Sequence, residues 1–157
     1  MPDLLPENVH DYPRHPALEP VPQRLRALLG GAVVADTTRG FRVLETHHAP
    51  TYYFPPEDVA AQLEPCRGQS FCEWKGRARY FDVAAGGKRA AGAAWCFDTP
   101  TSGFRAIAGY LAFYAGYLDA CFVGDAQVTP QPGSFYGGWV TPNLLGVPKG
   151  ARGTEHW

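Results

Sequence analysis

The stretch "CEWKGRARYFDV", Cys72 to Val83, decides how this chain is read. Taken with period two, one face carries Cys72, Trp74, Gly76, Ala78 and Tyr80, and the other carries Glu73, Lys75, Arg77 and Arg79. One apolar and one charged side predict a half-buried β-strand. Gly76 weakens such a strand, and with Ala78 it leaves room for a ring or a ligand. Lys75 has no structural partner in the pattern. It stands out as a polar anchor at the rim of a cleft.

The neighbouring segments extend the pattern. Gly86-Gly87 marks a hairpin turn, and Ala90 to Phe97 reads as the partner strand. Its small residues, Ala90 to Ala94, leave space for Trp74 or Tyr80 across the pair. Upstream, Arg24 to Leu29 and Ala32 to Asp36 flank Gly30-Gly31 as a second hairpin. Phe41 to Thr46 and Tyr52 to Phe54 read as two more strands, stopped by Pro55-Pro56. "PPEDVAAQL" predicts a short helix, with Pro56 at its start and Glu57 and Asp58 at its positive end. "EPCRGQS" reads as a loop. "SGFRAIAGYLAFY" fits a helix capped by Ser102 or a strand from Leu111, and Ala120 to Val123 is a clearer strand. Many short strands with glycine turns and two short helices make a mainly antiparallel β protein. Residues 1–21 are rich in proline and read as an extended arm. Residues 22–157 read as one domain, including a Gly/Pro-rich tail whose aromatic residues need burial.

Composition narrows the function classes. The chain has 157 residues with 14 basic and 15 acidic side chains, a formal net charge of -1. That balance gives no footprint for nucleic acid. No apolar run is long enough to span a membrane. The N-terminus lacks the basic start and apolar stretch of a secretory signal, so the expected location is cytoplasmic. Cys66, Cys72, Cys96 and Cys121 include no C-x-x-C pair. They read as reduced, mostly buried thiols, with no metal and no cofactor implied.

Five candidate constellations remain. Cys72 beside Lys75 would have an activated thiolate, although alternation puts the two on opposite faces. Glu45 with Lys75 would be an acid-base or substrate-positioning pair, or simply a structural ion pair. His47-His48 would need a distant third ligand, such as His10, His15 or His156, to hold a metal. The plain alternative is a pair of turn histidines. Trp74, Tyr80, Trp95, Phe97 and Phe113 would fill the core or wall a small-molecule cleft. Arg77, Arg79, Lys88 and Arg105 would form an anion patch or a solvated face.

Five ordered motifs then identify a resemblance. They are "FRVLETHHAPTYYFPPEDV" (Phe41 to Val59), "CEWKGRARYF" (Cys72 to Phe81), "AAWCFDTP" (Ala93 to Pro100), "YLAFYAGYLD" (Tyr110 to Asp119) and "GSFYGGWVTPNLLGVPKG" (Gly133 to Gly150). Together they resemble the bacterial family called domain of unknown function 427, with likeness running from Pro22 to the C-terminus. The resemblance implies the Mss4-like fold, or β-tent, in which two antiparallel sheets meet at an angle. Its wider group includes zinc-bound proteins, sulfoxide reductases and ligand-binding domains with aromatic cages. The family also carries a nucleotidyltransferase label. Such enzymes follow a Gly-Ser turn with paired aspartates for magnesium, and none follows Gly133-Ser134 here.

The expectation is therefore a small polar or anionic metabolite in an aromatic-lined cleft. Trp74, Tyr80 and Trp95 would be its walls, and Lys75 and Glu45 its polar contacts. The alternatives are an enzyme using Cys72 or the Lys75/Glu45 pair, and a non-catalytic interaction module. A homo-oligomer is compatible with any of them.

Overall fold

The computed structural model describes residues 3–72, 75–133 and 136–154, and for 67–72 the backbone alone. Trp74 and His156 lie outside the described residues, as does the side chain of Cys72. The protein is mainly β. Along the chain run β1 (Glu7–Asn8), β2 (Ala17–Pro20), β3 (Leu25–Leu29), β4 (Ala32–Thr37), β5 (Phe41–Leu44) and β6 (Thr51–Tyr53). The long strands follow as β7 (Gln62–Cys72), β8 (Gly76–Ala85) and β9 (Lys88–Cys96). Then come β10 (Leu111–Phe113), β11 (Ala120–Val123), β12 (Ala126–Gln127), β13 (Thr129–Pro130), β14 (Trp139–Val140) and β15 (Leu144–Leu145).

Three antiparallel sheets form the body. Their orders are β2-β5-β6, β10-β9-β8-β7 and β12-β11-β3-β4. The N-terminal arm lies on this body. β2 pairs with β5, and β1 runs parallel to β15 in the tail.

The opening stretch is not one strand. Cys72 ends β7, Lys75 lies in a turn, and Gly76 opens β8 opposite Cys72. Gly76 has φ 109°, a conformation that glycine adopts without strain. The alternation of Ala78 and Tyr80 against Arg77 and Arg79 holds within β8, but Lys75 precedes it. The expected helix from Pro55 is a single 3-10 turn, Pro56–Asp58, and "EPCRGQS" belongs to β7. Two prolines and two acids favour a first turn, but Gln62 onward finds a ladder in β8, and that pairing outweighs local propensity. A register irregularity between Pro65 and Gln69 accommodates the proline. Ser102–Ile107 is 3-10 and Leu111–Phe113 is strand, so "SGFRAIAGYLAFY" holds both structures; Thr101, not Ser102, precedes its first turn.

The central sheet is apolar on both faces. Ala94, Cys96, Leu111 and Phe113 join the larger core, toward β3, β4 and β11. Their neighbours Trp95, Phe97 and Ala112 join the other, with Val43 and Tyr53 of the β5–β6 pair. Strands buried on both sides lose the apolar-polar alternation, which explains the unbroken run "AAWCF". The small residues of β9 do face aromatic and branched partners, but these are Phe81 opposite Ala94 and Val83 opposite Ala90. Tyr80 faces Trp95 instead.

The two Gly-Gly hairpins touch one another. Gly30 and Gly86 have φ 61° and 57°, and a methyl group on either would overlap backbone atoms of the other. Gly86→Ala should therefore lower stability by at least about 2 kcal/mol, combining overpacking with a left-handed backbone. Gly103→Ala, which meets nothing within 4 Å and has no positive φ, should stay near the wild-type urea midpoint. Equal midpoints for the two variants would refute the contact.

Candidate functional site

Where the second core opens, a cavity of about 400 Å³ lies between the central sheet, the β5–β6 pair and the tail. Val43, Glu45 and Tyr53 come from β5, β6 and the segment that follows β5. Ala78, Tyr80, Trp95 and Phe97 come from β8, β9 and the residue after β9. Gln131, Tyr136, Gly137, Gly138 and Lys149 come from the tail, and His48 and Lys75 come from turns. Volume and lining suit a small organic ligand.

The aromatic wall is built by pairing. Tyr80 and Trp95 are cross-strand partners on the cleft face. The Trp95 ring also meets Tyr114, with centroids 4.6 Å apart. Burial pushes the Tyr114 hydroxyl up to about 12, helped by its hydrogen bond with Tyr80. The Tyr114 ring thus stays neutral at physiological pH. Gly137 covers the Trp95 ring so closely that a Cβ there would collide with it, and a Cβ on Gly138 would strike Gln131 and the Ala49 carbonyl. The "YGGW" segment is glycine-rich because the tail lies directly on the cleft wall.

Lys75 and Glu45 both line this cavity, as do Tyr80 and Trp95. Among the described residues no ion pair joins Lys75 to Glu45. The turn after β7 places Lys75 here, and Thr101 N–H donates to its carbonyl at 3.1 Å. Its ammonium lies 6.0 Å from the Phe97 ring centroid. Phe113, counted with the cleft aromatics from sequence, instead packs on Phe54 in the larger core. Of the basic patch expected from sequence, Arg77 and Arg105 are exposed with no ion pair among the described residues, whereas the other two members and the neighbouring Arg89 meet acids. Arg79 binds Asp98, Arg89 binds Asp82 and Glu64, and Lys88 lies 3.6 Å from Asp119.

Sequence reasoning gave Gln131 and Lys149 no ligand role, and it weighed His48 only as a metal ligand or a turn residue. Gln131 is buried, and its amide is fully committed. Its Oε1 accepts from Ala49 N–H at 3.1 Å, and its Nε2 donates to the Lys149 carbonyl at 2.8 Å. Nε2 also lies 3.2 Å from His48 Nδ1. The His48 ring meets Tyr136 edge-on, and the Lys149 ammonium lies 5.6 Å from the Tyr136 centroid. Burial, then Lys149, Lys75 and His47, bring the His48 imidazole down to about 4. His47 turns the other way, with φ 69°, and its Nδ1 lies 2.6 Å from His10 Nδ1. The two adjacent histidines therefore serve different surroundings. Among the described residues no three His, Cys, Asp or Glu side chains gather where they could hold a metal ion.

Residues 17–124 match the family described as a domain of unknown function (DUF427), and the chain belongs to that family. No curated protein matches it. The matched segment contains Glu45, His48, Lys75, Tyr80 and Trp95. It stops before Gln131, Tyr136 and Lys149, so the cleft is completed by the tail.

His48 makes stability depend on pH. The native ring stays neutral down to about 4, whereas the unfolded chain takes up a proton near the ordinary 6.5. Below that value the unfolded state binds more protons, so this contribution is complete above 6.5 and disappears as pH falls to about 4. The loss should be about 3 kcal/mol. His48→Gln, which cannot titrate, should flatten the urea-stability profile across that window. An unchanged slope would show that the ring is solvated.

Proposed function

We propose that the protein binds a small anionic metabolite with an aromatic or other flat apolar portion in this cleft. The observation that carries the reading is the cleft's charge set. Two ammonium groups, Lys75 and Lys149, face one carboxylate, Glu45, against neutral aromatic walls. Tyr80 and Trp95 supply those walls, and Glu45 supplies an acceptor for a hydroxyl or amino group of the ligand. Partly enclosed ammonium groups attract an anion more strongly than exposed ones because water and salt screen them less. The meeting of the central sheet with the β5–β6 pair, through the Phe54–Leu111 bridge, supports a β-tent arrangement with the cleft under its ridge.

Calorimetry against benzoate, phenyl phosphate, benzyl alcohol and benzylamine tests the reading. The two anions should bind, the alcohol weakly, and the amine not at all. Lys75→Ala and Lys149→Ala should each weaken anion binding about tenfold, and added salt should reduce it further. Equal affinity for the amine and the anions would defeat the proposal.

A further inference from the structure

We propose that His48, Lys75 and Lys149 form an oxyanion subsite in the cleft, with His48 acting as a neutral Nε2–H donor locked in that form by Gln131. The inference rests on the reading of the cleft as an anion site, and it names where the anion's oxygens sit.

The lock follows from hydrogen-bond direction alone. A backbone N–H can only donate and a backbone carbonyl can only accept. Ala49 N–H therefore requires an oxygen at Gln131 Oε1, and the Lys149 carbonyl requires a hydrogen from Gln131 Nε2. The amide cannot flip without breaking both bonds. Its second N–H hydrogen then faces His48 Nδ1 at 3.2 Å. Nδ1 must be the acceptor, so the proton of the neutral ring sits on Nε2. A protonated ring would set Nδ1–H against the Gln131 N–H, at a site already facing two ammonium groups. Burial and those two lysines act in the same direction.

Nε2 has no hydrogen-bond partner among the described residues. The ring edge that carries Nε2 is the one not engaged by Gln131. The cavity is what His48 lines. An N–H donor beside two ammonium groups selects an oxygen acceptor carrying negative charge, a carboxylate or a phosphoryl group. It does not select a metal ion, because the lone pair needed for ligation is turned toward Gln131. Nor does it act as a proton acceptor while Gln131 holds the ring. The titratable groups around it are Lys75, Lys149 and His47, with Tyr136 against its ring, Glu45 in its own turn, and Tyr53, Tyr80 and Tyr114 along the cavity wall. Gln131 is a positioning residue, since it acts through His48.

The test combines nitrogen-15 NMR of the histidine rings with calorimetry on the full chain. In the wild type, His48 should show a protonated Nε2 and an unprotonated Nδ1, with no titration between pH 6 and pH 8, on the order of two units above its value of about 4. Benzoate or phenyl phosphate should shift the Nε2 resonance. His48→Ala should weaken whichever anion binds by about tenfold or more, and His48→Gln, whose amide N–H reaches a similar point, should recover part of that loss. Gln131→Glu would need a hydrogen from Nδ1, so it should move the proton to Nδ1 and raise the ring's pKa. If that variant does not fold, the wild-type spectrum and the His48 series still decide.

Benzoate binding without phenyl phosphate binding would assign a carboxylate subsite, and the reverse a phosphoryl subsite. Wild-type anion binding that is indifferent to His48→Ala, or an Nδ1–H tautomer in the wild type, overturns this inference and leaves the cleft reading standing. Failure of benzoate, phenyl phosphate and inorganic phosphate to bind at millimolar concentration overturns both.

Discussion

The architecture hangs on the indole of Trp139. Its ring is fully buried among Tyr52 and Phe54, with centroids 5.3 and 5.9 Å away. Its Nε1–H donates to the Phe113 carbonyl at 2.9 Å, and its backbone N–H donates to the Pro50 carbonyl at 2.8 Å. The carbonyl of Phe113, at the end of β10, would otherwise lose this partner inside an aromatic cluster, at a cost of about 1–3 kcal/mol. One side chain thus ties the tail to the central sheet and to the β5–β6 pair. Everything in the cleft that comes from the tail depends on it. Gly137 rests on Trp95, Gly138 rests on Gln131, and Gln131 N–H donates to the Gly138 carbonyl at 3.0 Å.

The cleft exists because the central sheet serves two cores. Its larger face is closed by β3, β4 and β11, with Val83 and Phe113 fully buried. Its other face meets only the short β5–β6 pair and the 3-10 segment, which do not cover Ala78 and Tyr80 completely. The tail comes over that gap with glycines and a tyrosine rather than with bulky apolar side chains. A gap of this size filled with Leu or Phe would be more stable. The aromatic rings that remain are bound to one another by tilted ring and hydroxyl contacts, which hold the wall in place without filling the space.

How much of this was readable follows from the range of each interaction. The mainly β class, both Gly-Gly hairpins and the Tyr80/Trp95 wall depend on local alternation and turn chemistry, and these are written in neighbouring residues. Glu45 and Lys75 line one cavity, though Lys75 arrives through a turn that alternation concealed. The break between β7 and β8 was hidden because alternation continues on both sides of it. The helix expected from Pro55 failed because pairing with β8 is a long-range fact. The contact of His48 with Gln131 was hidden more deeply. Gln131 follows it by 83 residues and carries no local signal, and without Gln131 the histidine is only a residue in a turn.

The division of labour between arginine and lysine points the same way as the geometry. Arg24, Arg39, Arg42, Arg79 and Arg89 are each held by carboxylates at the surface or in the arm. Arg42 is the most enclosed of them, clamped between Glu7 and Glu19, and it fastens β1 and β2 to β5. Planar guanidinium groups suit such fixed, two-pronged pairs. Lys75 and Lys149 are different, because among the described residues neither is in an ion pair and each touches a ring instead. An ammonium on a flexible stem that lines a cavity without an ion pair contributes little to folding and carries a desolvation cost. Under the proposed reading an anionic ligand would offset that cost, and His48, held neutral first by burial, would add a donor without adding a third positive charge.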